Sequence, residues 1–212
     1  MGGATSGPAR RFSENRARLE TIDLMFRSRL FRHAIAVALL AAGCATVDVP
    51  DLEPVGRERV MLDDVEYSPQ RGDDDCAVAC VTTVLRHLGS DLAFEEVDEG
   101  LKRVEGGGVI PVEILFFARM HGYRVTLLDS GLNDLRQRLT AGRPLILLLH
   151  YMPRANRRLA GLPGHYVVAV GFDDATREVI VHSDTSSFQR KSYRSLQRRW
   201  SESDFLAIQI DR

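Results

Sequence analysis

Residues 70–88 read Gln-Arg-Gly-Asp-Asp-Asp-Cys-Ala-Val-Ala-Cys-Val-Thr-Thr-Val-Leu-Arg-His-Leu, an acidic loop running into a helical pattern with Cys76 at its first turn. A helix N-terminus carries about half a positive charge and open amide donors, so a thiol placed there is expected to ionise readily and attack a carbonyl carbon. Free cysteine is also a common core residue. The distinction rests on whether the chain supplies a base, a group to orient it and donors for an oxyanion.

Five histidines beyond residue 60 compete for the role of base: His87, His121, His150, His165 and His182. His87 and His121 fall late on helical patterns, where a histidine commonly faces solvent or caps the C-terminus. His150 and His182 end strand patterns, where sites can gather. His165 follows Gly164 and opens the most apolar strand, so its ring can project from the edge of a rigid element into a cleft. It is the favoured base. Asp184 would come beside the start of the His165 strand if residues 173–176 form a hairpin turn, which makes it the expected orienting acceptor. Asp173 and Asp174 compete, but belong to the far turn and are better placed to shape it. Gln70 is the side-chain amide available to join the Cys76 backbone amide at an oxyanion, although a glutamine in a polar loop is ordinarily only solvated. Cys80 lies one turn beyond Cys76. That spacing suits neither an unstrained disulfide nor a structural zinc site, so core packing is expected, with no metal and no cofactor.

These side chains need a scaffold. Ala77, Val81, Val84, Leu85 and Leu88 make one helical face, capped by Asp74 or Asp75 and stopped at Gly89. Further helices are expected over 93–104, 111–121 and 132–141, with a break at Gly106-Gly107-Gly108. Short apolar runs at 124–128, 144–150, 165–172, 178–182 and 205–210 read as strands, with a helical stretch around 196–200. Helices first and an antiparallel sheet after them define an α+β domain.

The ends differ in character. The chain has 212 residues with a formal charge of −1, which gives no sign of a nucleic-acid binder. Residues 1–43 carry seven arginines against three acidic side chains, leaving 21 basic against 26 acidic groups after Cys44. From Met25 a basic opening, a short apolar run at 34–40 and Ala-Ala-Gly-Cys44 follow the order of a secretory signal peptide. The run Leu-Leu-Ala-Ala-Gly-Cys resembles a bacterial lipobox, which implies that Cys44 is lipidated and becomes the mature N-terminus. Ala45, where retention signals have aspartate, favours the outer membrane. Residues 44–61, with Pro50 and Pro54, read as a flexible tether, and 62–212 as one domain. The basic groups Arg154, Arg157, Arg158, Arg190, Lys191, Arg194, Arg198 and Arg199 read as a solvated face.

Gln70, five residues, Cys76, then Gly-His165-Tyr-Val-Val-Ala-Val-Gly-Phe-Asp and a strand leading to Asp184 resemble the bacteriocin-processing cysteine peptidases, family thirty-nine of the papain-like clan. The resemblance covers roughly residues 62–210. It implies a papain-like fold with Cys76 as nucleophile, His165 as general base, Asp184 as orienter and Gln70 at the oxyanion. Ala77 stands where that family often has glycine, and Thr185 follows Asp184 where it has proline. The well-known members are parts of ABC exporters that cut after a double glycine. With no ATP-binding motif in the sequence, that substrate is not expected to carry over. The expected function is a membrane-tethered peptidase acting on a peptide or protein, with a catalytically silent peptide-binding lipoprotein or an acyltransferase as alternatives.

Overall fold

The computed structural model describes residues 49–104, 108–150 and 164–212, and these hold seven strands and five α-helices. In chain order they are β1 (Arg59–Met61), α1 (Cys76–His87), α2 (Phe94–Gly100), α3 (Pro111–Met120), β2 (Arg124–Asp129), α4 (Leu132–Thr140), β3 (Leu145–Leu149), β4 (His165–Asp173), β5 (Glu178–Ser183), β6 (Ser186–Ser192), α5 (Tyr193–Trp200) and β7 (Leu206–Asp211). The strands form one antiparallel sheet in the order β2-β7-β3-β4-β5-β6, with β1 pairing to the far end of β4. The fold is α+β, as expected, with helices packed on an antiparallel sheet.

The apolar runs are continuous because both faces of the sheet are covered. Along β4, Tyr166, Val168 and Val170 join one buried cluster with Val81, Val84, Ile114 and Phe117. Val167, Ala169 and Phe172 join a second with Leu135, Leu139, Leu196 and Trp200. Helices α1–α3 therefore pack on one face, and α4 and α5 on the other. Each fully buried Leu, Val or Phe contributes about 1.5–3 kcal/mol relative to exposure. This double burial makes β4 the rigid element from whose first residue His165 extends.

The element types agree with the sequence reading, and the differences are local. Helix α2 ends at Gly100, short of the expected residue 104, where Leu101 turns extended. Gly100 also sits where a Cβ would lie 2.2 Å from the Phe117 ring. Strand β6 was not foreseen, since Ser-Ser-Phe-Gln-Arg-Lys-Ser holds a single apolar residue and shows neither alternation nor an apolar run. The expected flexible tether over 44–61 also needs correction in its described part. Val49, Leu52 and Val55 pack on the second cluster, and β1 completes the edge of β4. Arg136, only 2% exposed, holds this segment by donating to the Glu53 carbonyl while pairing with Asp174. Glycine at 171 is required there, because a Cβ would come within 2.5 Å of the Val60 carbonyl oxygen.

Residues 1–48, on which the expected extension, signal peptide and lipidated Cys44 fall, lie outside the described residues, as do Gly106, Gly107 and the segment bearing Arg154, Arg157 and Arg158. No helix among the described residues is long and apolar enough to cross a membrane.

Candidate active site

Cys76 is the first residue of α1, but the expected cap does not form. Asp75 occupies the N-cap position without a side-chain hydrogen bond to the helix, and its carboxylate instead accepts from Arg103 at 2.7 Å. The same arginine reaches Asp98, so the loop ahead of the thiol is fastened to α2 rather than to the helix it precedes. Cys76 is buried, with 8% of its surface exposed. Burial pushes the Cys76 thiol up, opposed by the backbone amides of Tyr166, Ala77 and Cys76 itself, while Asp74 raises it further. The readily ionised thiol expected from helix position alone is therefore not what the site holds. Desolvation outweighs the helix terminus, and the resting group is a neutral thiol.

Tyr166, the residue directly after His165, shares a buried cluster with Cys76, so the strand that begins at His165 and the helix that begins at Cys76 belong to one core. Tyr166 also sends its hydroxyl to the Val109 carbonyl at 2.9 Å, fixing the segment that follows the glycine break.

The His165 ring is mostly buried, and its Nε2 lies 3.2 Å from Asp184 Oδ1 and 2.9 Å from Ser183 Oγ. Burial lowers its pKa below 6.5, Asp184 opposes this, and Lys191 adds to the lowering. Neutral imidazole is thus the form present near neutral pH. Asp184 sits at the first position of the β5–β6 turn with φ +55°, a conformation unusual for a side-chain-bearing residue. Its carboxylate is more than half exposed, so its attraction for an imidazolium is screened by water.

Gln70 is tied to the turn that carries Asp184. Its backbone amide donates to the Asp184 carbonyl at 3.2 Å, and its Nε2 donates to the Gly72 carbonyl at 3.0 Å. Its Oε1 is buried without a hydrogen-bond partner among the described residues. Asp184 and Gln70 are thus joined through the backbone, which no pattern in the sequence indicated.

The competing residues have other places. His182 is fully buried, facing the Val65 carbonyl through Nε2 at 2.9 Å and accepting the Phe188 amide at Nδ1, with its ring stacked on Tyr67. His87 pairs with Asp64 at 3.4 Å, and His121 contacts the Phe117 carbonyl on its own helix. The His150 backbone amide donates to the Arg199 carbonyl. Asp173 accepts the amides of Ala175 and Thr176, shaping the β4–β5 turn as expected. Cys80 lies in the main core at 1% exposure, with burial holding its thiol well above the ordinary range. Ser183 was missed, because a serine beside an aspartate carries no signal until the strand register is known.

The Peptidase C39 like family model matches residues 62–208, most of the chain and all of the elements just described except β1 and the second half of β7. The chain belongs to this family. Among solved structures, it is similar to a C39-like peptidase from Bacillus anthracis, with TM-score 0.61 and 16% identity over 74% of this chain and 98% of that one. The peptidase domain of the Streptococcus ABC transporter ComA gives TM-score 0.53 and 21% identity, covering 69% of this chain and 98% of that one. A double glycine motif protease from an AMS/PCAT transporter, solved with its leader peptide, gives 0.54 and 15%, covering 76% and 99%. At these identities the likeness establishes the C39-like fold. No curated protein matches the chain.

Proposed function

We propose that the protein is a papain-like cysteine peptidase that cleaves a peptide bond with Cys76 as nucleophile, His165 as base, Asp184 as orienting acceptor and Gln70 at the oxyanion. The observation that carries this reading is the His165 imidazole backed by Asp184 at 3.2 Å at the start of β4, the strand whose next residue, Tyr166, shares one buried cluster with Cys76. The Cys76 proton passes to His165 Nδ1 as sulfur attacks the carbonyl carbon, and the oxyanion is held by the Cys76 amide and Gln70 Nε2. The imidazolium then returns its proton to the leaving amine, giving a thioester. Water, deprotonated by the same ring, hydrolyses the thioester to release the acid and restore the thiol.

The substrate on this reading is a peptide or protein met at the bacterial envelope. The lipobox-like run ending at Cys44 supports a lipid anchor facing the periplasm, with Ala45 favouring the outer membrane. Labelled palmitate should be incorporated by the wild type and not by Cys44→Ser. For the chemistry, a mixed peptide pool is incubated with wild type and with Cys76→Ala, and new termini are counted by mass spectrometry. Cleavage confined to the wild type supports the peptidase. Peptides retained whole by both proteins favour a binding lipoprotein with the same cleft, a second reading suggested by the raised thiol and by the Gln70 amide engaged with Gly72.

A further inference from the structure

We propose that Ser183 is a positioning residue that sets the tautomer of His165, an inference that rests on the reading of His165 as the base. Three side chains form a closed ring of contacts: His165 Nε2 lies 2.9 Å from Ser183 Oγ and 3.2 Å from Asp184 Oδ1, and Ser183 Oγ donates to the other carboxylate oxygen, Asp184 Oδ2, at 3.1 Å. A hydroxyl has one hydrogen, and here it is directed to a carboxylate, which can only accept. Towards the ring Ser183 can therefore only accept, so the nitrogen facing it must carry the proton. The neutral imidazole is then protonated at Nε2, and Nδ1 keeps the lone pair that a thiol proton needs.

Burial makes this role significant. Asp184 is more than half exposed, whereas Ser183 is 1% exposed, so the hydroxyl rather than the carboxylate is the partner water does not screen. The strand fixes its position as well. Ser183 ends β5 where the register with β6 shifts between Val181 and Ser183, and its carbonyl accepts from Gln189 Nε2 at 2.9 Å. A register shift of this kind re-aims a side chain near a site. Ser183 touches no substrate atom in this scheme and acts through the ring.

The direct measurement is the nitrogen chemical shifts of the His165 ring in ¹⁵N-histidine-labelled protein at a pH where the ring is neutral, assigned by comparison with His165→Gln. The wild type should show the proton on Nε2. Ser183→Ala should show a mixture of the two tautomers, and Ser183→Thr, which restores a hydroxyl, should return the ring to Nε2–H. In the cleavage assay Ser183→Ala should lower kcat about ten- to a hundredfold, with KM nearly unchanged. A wild-type ring protonated at Nδ1 overturns the proposal without any variant having to fold. So does a folded Ser183→Ala whose tautomer matches wild type. The tautomer is read without turnover, so a protein that cuts nothing but holds Nε2–H through Ser183 refutes the peptidase reading alone.

Discussion

The backbone amide of Gln70 donates to the carbonyl of Asp184 across 3.2 Å, and the Tyr67 hydroxyl reaches the same oxygen at 2.7 Å. The loop that would hold an oxyanion and the turn that backs the imidazole are thereby one mechanical unit. The two bonds also hold Asp184 at its positive φ. Asparagine tolerates that conformation, so Asp184→Asn should keep the fold while lowering kcat by about 10²–10⁴. Circular dichroism together with steady-state cleavage checks both halves, and an active Asp184→Asn would remove the residue from the mechanism.

Gln70 presents function and stability in opposition. Its buried Oε1 lacks a partner among the described residues, which costs stability, while its Nε2 bond to Gly72 contributes some. Gln70→Ala removes both, so the urea midpoint should move little. Loss of an oxyanion donor should nevertheless lower kcat by about 10²–10³. A large stability loss with kcat intact would make Gln70 a structural residue.

Two buried histidines predict the pH dependence. Burial lowers His165, partly opposed by Asp184, and it lowers His182, partly opposed by the Val65 carbonyl. Both folded values therefore lie below 6.5, so the unfolded chain takes up protons first as pH falls. Stability present above pH 6.5 is lost as pH falls through the lower folded values. Urea midpoints from pH 8 to 5 should decline below 6.5, and His182→Gln should flatten part of that decline. A midpoint rising as pH falls from 6.5 contradicts this.

Arg136 should be among the most costly positions to truncate. Its guanidinium is buried, pairs with Asp174 and holds the Glu53 carbonyl. Arg136→Ala leaves the Asp174 carboxylate without its buried partner, a change worth about 3–5 kcal/mol. Limited proteolysis should then cut within residues 49–58 sooner than in wild type. Unchanged stability and proteolysis would mean that the segment is held by Val49, Leu52 and Val55 alone.

Much of this architecture could be read from the chain, for physical reasons that also mark where the reading stops. Uninterrupted apolar runs such as residues 165–172 identify strands buried on both faces, and Pro111 with Gly122 brackets a helix. What escaped depends on partners distant in sequence. Asp75 looks like a cap until Arg103, 28 residues on, takes its carboxylate. Cys76 looks acidic from its helix position until burial is known. Residues 49–61 look like a linker because their docking is made by Arg136 and by the edge of β4, which only the assembled sheet provides. Strand β6 carries no apolar run and is defined by its pairing to β5.

The central claim is that His165 acts on Cys76. Site-resolved iodoacetamide labelling of Cys76 near neutral pH tests it without knowledge of a substrate, with the buried Cys80 as internal reference. Wild type should label Cys76 at least about tenfold faster than His165→Ala, and faster than Cys80 in the same molecule. Equal, slow labelling of Cys76 in both proteins would contradict the account.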